Sequence, residues 1–241
     1  MNLYKYASPV NFYPVAGKLI PWFSVPAVIL FFVGLYVGFF VAPPDYQQGE
    51  AYRIMFIHVP AAWMGMLLYV LMAIYAGIGW AFNARLSSMM ASSIAVTGAM
   101  FTFLALVTGA FWGKPTWGTW WVWDARMTST LILLFLYIGF ISLQASIDDA
   151  RRADRAGAVL ALVGVINVPI IYFSVQWWNT LHQGATIRIL NKPTIAPKML
   201  AAMLILLAAC WLYSVAVVLI RLRCIIVERE QNAARFVEVN V

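Results

Sequence analysis

Residues 19–41 read LIPWFSVPAVILFFVGLYVGFFV, an apolar run of 23 residues without a charged side chain. A helix of roughly 20 residues crosses the hydrocarbon core of a membrane, so this run is long enough to span it. Similar runs recur along the chain, and we place six spans near 19–41, 56–82, 90–112, 127–147, 156–177 and 199–220. The 241 residues are 63% hydrophobic and only 10% charged. The sequence therefore predicts an all-α integral membrane protein in which residues 1–241 form a single six-helix domain.

The distribution of lysine and arginine predicts which side each loop faces, because short loops rich in these residues stay in the cytoplasm. With both termini inside, the inner side holds ten of them: Lys5, Lys18, Arg85, Arg151, Arg152, Arg155, Arg221, Arg223, Arg229 and Arg235. The outer side holds six: Arg53, Lys114, Arg126, Arg188, Lys192 and Lys198. We therefore predict an N-in, C-in topology. The three longer connections, 42–55, 113–126 and 178–198, then all face outward, where functional loops are expected.

The net charge does not indicate binding to nucleic acid, and the cysteines do not indicate a disulfide or covalently attached haem. The net charge of +7 comes from basic residues scattered over both faces, without a patch or motif for nucleic acid. Cys210 and Cys224 lie about 21 Å apart along one predicted helix and its exit, too far for a disulfide. The chain has no C-x-x-C-H haem-attachment motif and no phosphate-binding loop of the form G-x-x-x-x-G-K-[ST]. It also lacks a recognisable catalytic constellation.

The second outward connection contains four tryptophans in eight residues, WGTWWVWD at 117–124. An interfacial belt is the usual role of membrane tryptophans, but a cluster this dense favours a flat aromatic surface that holds a ligand. As a short helix, the segment would place Trp117, Trp120, Trp121 and Asp124 on one face; as an extended chain, it would place Trp121 and Trp123 on one side. Gly113, Pro115 and Gly118 favour a shaped loop. Asp124 precedes a long apolar run and is predicted to cap its helix.

The chain has two histidines, His58 and His182, and both fall at the outer boundary of a predicted span. Alone, each is typical of an interfacial or hydrogen-bonded histidine. With the tryptophan segment between them on the same side, they fit the axial ligands of a haem iron better. Two histidines without a third ligand make a poor zinc or copper site. For the haem propionates the outer face offers Arg53, Lys114, Arg126, Arg188 and Lys192, of which we select Arg126.

These residues resemble a known family. Trp117-Gly118-x-x-Trp121-x-Trp123-Asp124, followed by Ala125-Arg126, is similar to the WWD signature of the haem-handling proteins of cytochrome c biogenesis. The six-span length, with one outward histidine on each side of the motif, most closely resembles the CcmC family of haem exporter proteins, which belongs to the bacterial cytochrome c maturation system. The resemblance extends over essentially the whole chain.

The resemblance implies a role and a set of partners. A family member holds haem b at the periplasmic face of the bacterial inner membrane, with His58 and His182 as the matching ligands. Trp117, Trp120, Trp121 and Trp123 would then form the platform, Gly118 would allow close approach, and Asp124 would cap and accept a hydrogen bond. Haem passes to the periplasmic haem chaperone CcmE, and the complex includes the small membrane protein CcmD and the ABC transporter subunits CcmA and CcmB. Lipid surrounds the bundle.

Two other functions remain open at this point. A haem permease would conduct haem through the bundle, and its spans would then carry polar or ligating groups at several depths. Between the boundaries the spans carry only a few such groups, among them Thr97, Thr102, Thr108 and Asn167. A structural subunit would only anchor an ABC transporter, with the tryptophans as a belt, and would tolerate the loss of either histidine.

Overall fold

The computed structural model describes residues 7–182 and 194–230, and all of its regular elements are helices. Seven α-helices follow one another as α1 (Pro9–Tyr36), α2 (Met55–Phe82), α3 (Arg85–Trp117), α4 (Ala125–Ser146), α5 (Ala150–Gly164), α6 (Asn167–Trp177) and α7 (Pro197–Glu230). A π-helical turn, Val37–Val41, extends α1, and a 3₁₀ turn, Glu50–Ile54, precedes α2. Helices α5 and α6 together form one span.

Six segments are long and apolar enough to cross a membrane, as the sequence predicts: Pro9–Val41, Glu50–Phe82, Arg85–Trp117, Ala125–Ser146, Ala150–Trp177 and Pro197–Glu230. Most are longer than the apolar runs that predicted them. The first begins ten residues earlier than predicted, and the last ends ten residues later. Hydropathy detects only the part of a helix within the hydrocarbon, whereas backbone hydrogen bonding continues into the headgroup layer.

The two predicted inner connections are short. Asn83, in the left-handed conformation, ends α2, and Ala84 leads directly into α3. Residues 147–149 join α4 to α5, and the Asp149 carboxylate caps α5 by accepting a hydrogen bond from the Arg152 amide at 2.7 Å. These tight turns fix the relative positions of the helices that they join. The longer connections between helices lie at the opposite end of the bundle.

The fifth span is interrupted near its middle. Helix α5 ends at Gly164, and α6 begins at Asn167, two residues before Pro169. Because proline has no amide hydrogen, the Val165 carbonyl cannot accept the usual helical bond. It accepts one from the Val168 amide at 3.0 Å instead. The break therefore lies where Pro169 predicts a kink, and Asn167 ties it to α4 by donating to the Ser129 carbonyl at 2.8 Å.

The largest apolar cluster lies between α2, α3, α4 and the α5–α6 span. Helix α2 packs most extensively on α3, and α1 packs chiefly on α7. At the centre of the cluster the fully buried Tyr69 and Tyr137 meet edge to face, with ring centroids 4.9 Å apart. The Tyr137 hydroxyl donates to the Gly65 carbonyl at 2.8 Å. This packed layer closes the bundle beneath the end that carries the histidines.

Candidate haem site

His58 lies on α2 and is held against α3. Its Nδ1 lies 3.0 Å from the Ala105 carbonyl oxygen and 3.1 Å from the Thr108 hydroxyl oxygen. A carbonyl can only accept, so Nδ1 carries the hydrogen and Nε2 keeps its lone pair. The Trp112 ring meets the imidazole edge to face, with centroids 5.6 Å apart. His58 is thus fixed in one tautomer, with a free nitrogen available as a ligand.

Helix α3 approaches this imidazole closely at Gly109. A Cβ at that position would lie 3.0 Å from Cε1 of His58. Contacts this short are tighter than normal van der Waals packing, so a side chain there would push the ring aside. Glycine at 109 therefore lets the Cε1 edge of the imidazole approach the helix that supplies its hydrogen-bond acceptors.

His182 lies opposite, beyond the end of α6. The chain leaves the helix at Trp178, and His182 follows four residues later on irregular chain. The imidazole centroids of His58 and His182 are 6.2 Å apart, with their planes inclined by 40°. Two histidines separated by more than 120 residues in sequence therefore face each other at one end of the bundle.

The tryptophan segment begins on a helix and continues as an extended chain. Helix α3 runs past Gly113 and Pro115 as far as Trp117, where Gly118 ends it in the left-handed conformation with φ of 79°. Only Trp117 of the segment 117–124 is helical, so the short-helix alternative is wrong, and residues 119–124 form a non-helical chain. Beyond the helix, the Trp121 and Trp123 rings meet edge to face at 5.3 Å, as the extended alternative requires.

Asp124 caps α4, as the sequence predicts. Its carboxylate accepts a hydrogen bond from the Met127 amide at 2.8 Å. A cap satisfies one of the amides that have no partner within the first helical turn. Asp124 thereby fixes the point where the tryptophan segment joins α4.

An open cavity, about 880 Å³ when the solvent space at its mouth is included, lies between the histidines and the tryptophan segment. Its upper wall is formed by His58, His182, Trp112, Trp117, Trp120 and Trp121, together with Asp124 and Arg126. It continues inward about two helical turns, to Gly65, Met66, Thr102 and Leu133. The lining is largely apolar, with a few polar groups near the mouth, as in sites for flat organic ligands.

Comparisons with known proteins show the family of this chain. The family model for CcmC, "Heme exporter protein C", matches residues 2–237. The "Heme exporter protein C" of Escherichia coli K12 is 52% identical over 185 residues, covering 77% of this chain and 76% of that protein. The protein of the same name from Bradyrhizobium diazoefficiens is 42% identical over 238 residues, covering 99% and 90% of the two chains. The chain belongs to the heme exporter protein C family.

In this member of the heme exporter protein C family, one cavity is lined by most of the residues that the sequence analysis proposed for the haem site. They are His58, His182, Trp117, Trp120, Trp121, Asp124 and Arg126. Gly118 and Trp123 do not line it. A Cβ at Gly118 would meet no described protein atom within 4 Å, so the close approach of haem expected at this glycine stays a prediction. Its positive φ, which glycine adopts without strain, is the reason for its position.

Of the three basic residues proposed for the propionates that the structure describes, only Arg126 lines the cavity. Its guanidinium also donates to the Ile171 carbonyl at 3.3 Å. Arg53 instead pairs with Glu50 and donates to the Gly38 and Ala42 carbonyls, and Lys114 donates to the Gly118 carbonyl at 3.1 Å. Arg188 and Lys192 lie outside the described residues. The other polar group of interest is the Trp121 indole N–H, which is buried and has no hydrogen-bond partner among the described residues.

Sequence reasoning missed the supports behind the ligands. The acceptors of His58 are Ala105 and Thr108, and Trp112 is itself held by Gln48, which accepts from its indole N–H at 2.7 Å. The available signal was helical spacing. Ala105, Thr108, Gly109 and Trp112 recur at intervals of three and four residues and so share one face of α3. The sequence alone did not indicate that this face meets His58.

Proposed function

We propose that this chain binds haem b between His58 and His182, at the periplasmic face of the membrane, and delivers it to the periplasmic haem chaperone CcmE. Delivery takes place within a complex with CcmD and the ABC transporter subunits CcmA and CcmB, at the periplasmic side of the bacterial inner membrane. The coarser role, haem handling in c-type cytochrome biogenesis by a multi-pass membrane protein, follows from family membership. The proposed cargo site lies at the outward end of the bundle.

The distance between the two histidines carries this proposal. Two imidazoles on opposite sides of one metal, bound at about 2.0–2.1 Å, have ring centroids roughly 6.3 Å apart. The centroids of His58 and His182 are 6.2 Å apart. The inclination of 40° is compatible with this arrangement, because two ligands on opposite sides of a metal can have any angle between their ring planes.

The small number of protein ligands favours a porphyrin over a bare metal ion. Among residues 7–182 and 194–230, no group of three or more histidine, cysteine or carboxylate side chains could hold a metal. Structural zinc and copper sites need three or four protein ligands. A haem brings four ring nitrogens of its own and needs only two axial ligands, which is the number that the site offers.

The aromatic wall suits the faces and edges of a flat apolar ring. Trp112, Trp117, Trp120 and Trp121 surround the cavity, and indole rings pack well on aromatic surfaces. Two donors at this level suit a carboxylate, namely the Arg126 guanidinium and the unpaired Trp121 N–H. We assign them to the haem propionates, because a buried carboxylate needs charged or hydrogen-bonding partners.

The exposed part of the tryptophan segment is suited to meeting the chaperone. Trp123 is 75% exposed and Trp120 is 51% exposed, although the first packs against Trp121 and the second lines the cavity. Tryptophan is enriched at the energetic centres of protein interfaces. We propose that these two rings present the loaded site to CcmE, which would reach the open edge of the haem.

The packing of the bundle argues against a permease that conducts haem through its centre. Beneath the cavity, Tyr69 and Tyr137 are fully buried and in contact, and Tyr137 is bonded to the carbonyl of Gly65 at the cavity floor. A ring the size of haem could pass only if this closely packed layer separated. Entry of haem from the side or from outside requires no such rearrangement.

The proposal is tested by the visible absorption spectrum of the full chain, purified in detergent from cells that also produce its partners. We expect a Soret band with six-coordinate, low-spin features. When haem-free CcmE is added and the two proteins are separated again, the pigment should move to CcmE. A colourless chain would exclude the haem site and favour the structural anchoring role. Pigment that never leaves would exclude delivery.

Replacing Trp121 by alanine should weaken haem retention by about tenfold, because an aromatic wall and a hydrogen-bond donor are lost together. Trp123→Ala is the matched control, since this neighbouring tryptophan does not line the cavity. We expect Trp123→Ala to keep its pigment but to slow transfer to CcmE. Both quantities are read from the Soret absorbance during washing and during transfer. Equal haem loss in the two variants would contradict the distinction.

Asp124→Ala should lower haem affinity by removing the cap that fixes the tryptophan segment to α4. A lost cap costs about 0.5–2 kcal/mol of stability. Asp149→Ala removes a cap of the same kind from α5 at the opposite end, where it bonds the Arg152 amide. Both variants should unfold at lower temperature in detergent, and only Asp124→Ala should bind haem more weakly. A similar haem affinity in both would show that the cap has no positioning role.

A further inference from the structure

We infer that Thr108 is a positioning residue for the haem ligand, acting together with the Ala105 carbonyl to hold His58 in its Nδ1-protonated tautomer. This inference rests on the proposed function, because it concerns how one proposed ligand is prepared. Thr108 does not line the cavity and lies behind the imidazole. It would therefore affect bound haem only through His58.

The hydrogen-bond directions around Thr108 support this role. Its hydroxyl donates to the Leu104 carbonyl at 2.6 Å, within its own helix. With its hydrogen engaged there, the oxygen is left as an acceptor toward Nδ1 of His58 at 3.1 Å. The Ala105 carbonyl accepts from the same nitrogen at 3.0 Å. One imidazole N–H is thus shared between two acceptors one helical turn apart on α3.

The consequence concerns the opposite ring nitrogen. In a neutral imidazole whose Nδ1 carries the hydrogen, Nε2 has the lone pair that binds a metal. The ring is also held from the side by Trp112 and by the close approach of Gly109. These contacts fix the position and the tautomer of the imidazole before any ligand arrives, so binding does not have to order this side chain.

The same hydrogen bond should tune the electronic properties of the bound iron. An imidazole that donates its second N–H is a more basic ligand, and such outer partners change metal affinity by about 10–100-fold when removed. A more basic ligand favours ferric over ferrous iron, so loss of an acceptor should raise the reduction potential. Because the Ala105 carbonyl remains, we expect Thr108→Val to fall at the lower end of that range, near tenfold.

The chain offers both a rescue and a matched control for this substitution. Thr108→Ser keeps the hydroxyl and should retain the wild-type affinity and potential. Thr97→Val makes the same chemical change on the same helix, at a buried residue that does not line the cavity and whose hydroxyl has no hydrogen-bond partner among the described residues. We expect Thr97→Val to leave the reduction potential unchanged.

The tautomer can be measured without haem. Since the chain has only two histidines, ¹⁵N labelling of histidine gives two sets of ring signals, and His182→Ala removes one of them. The remaining imidazole should be protonated at Nδ1 in the haem-free chain. Protonation at Nε2 would overturn the inference directly.

The haem measurements use the purified full chain with haem titrated in, followed by redox titration of the Soret band. Weaker binding and a raised potential in Thr108→Val, restored in Thr108→Ser and absent from Thr97→Val, would support the inference. Wild-type values in Thr108→Val would overturn it, as would an equal change in Thr97→Val. If the wild type bound no haem, or His58→Ala left its spectrum unchanged, the proposed function itself would fail instead.

Discussion

His58→Ala is expected to reduce haem affinity by more than about 100-fold and to leave the purified chain nearly colourless. Loss of an outer partner of a metal ligand costs about 10–100-fold, so loss of the ligand itself should exceed that range. Alanine supplies no nitrogen, and it leaves the acceptors at Ala105 and Thr108 facing a space of imidazole size. The measurement is the haem content per chain after purification, together with a haem titration of the stripped protein.

The control for this variant is Trp63→Ala on the same helix. Trp63 is exposed and does not line the cavity, so its replacement removes a larger side chain from α2 without touching the site. Trp63→Ala should retain wild-type haem content. Added imidazole should restore part of the Soret band of His58→Ala, because it can fill the vacated position. A fully pigmented His58→Ala would mean that this histidine is not a ligand.

His182→Ala should also lose haem, since the sequence has no third histidine to replace it as a ligand. The two histidines differ in their surroundings, however. His58 lies on a helix and is bonded to two acceptors, whereas His182 lies on irregular chain beyond α6. We expect His58→Ala to lose more of its bound haem than His182→Ala does, in agreement with that difference.

The sequence predicted the parts of this structure that depend on local patterns. Six apolar runs predicted six spans, and Asp124 predicted a helix cap. Each of these follows from residue type and spacing within one segment. Local patterns were less reliable where helical continuity competes with a breaker. Pro115 does not end α3. The helix continues two residues beyond it, to Trp117, and Gly118 then turns the chain.

The sequence could suggest that the two histidines cooperate, but not how close they are. Their separation depends on how α2 packs on α3 and on the course of the chain after α6, neither of which has a local signal. The same holds for Thr108, whose hydroxyl oxygen meets an imidazole 50 residues away in sequence. A threonine inside a membrane helix usually bonds its own backbone, as Thr108 also does. Only the packed structure reveals its second contact.

Gly98→Ala is expected to destabilise the bundle by about 2–4 kcal/mol, one of the largest effects available from a single methyl group. Gly98 lies on α3 against the ring of Tyr137 on α4. A Cβ there would lie 2.2 Å from both Cζ and the hydroxyl oxygen of Tyr137. The tyrosine would have to move and give up its hydrogen bond to the Gly65 carbonyl. The gain in helix propensity, about 1 kcal/mol, is too small to offset this.

The stability of the purified chain in detergent, followed by thermal or denaturant unfolding, measures this effect. Gly139→Ala is the matched control, because its Cβ would meet only the flexible end of Leu160, at 3.3 Å. That variant should be neutral or slightly stabilised. A double variant with Tyr137→Leu tests the cause, since a smaller partner leaves room for the methyl group. The two substitutions should then cost less together than the sum of their separate costs.

If the losses of unfolding free energy from Gly98→Ala and Tyr137→Leu simply add in the double variant, Gly98 and Tyr137 do not restrict each other's packing. Coupled costs would connect the packing of the bundle to the site above it. Tyr137 bonds the carbonyl of Gly65, and Gly65 forms part of the cavity floor. A shift of this tyrosine would therefore alter the depth of the cavity, and Gly98→Ala should weaken haem binding although it lies well below the histidines. Interior side chains are packed closely enough to transmit such a displacement.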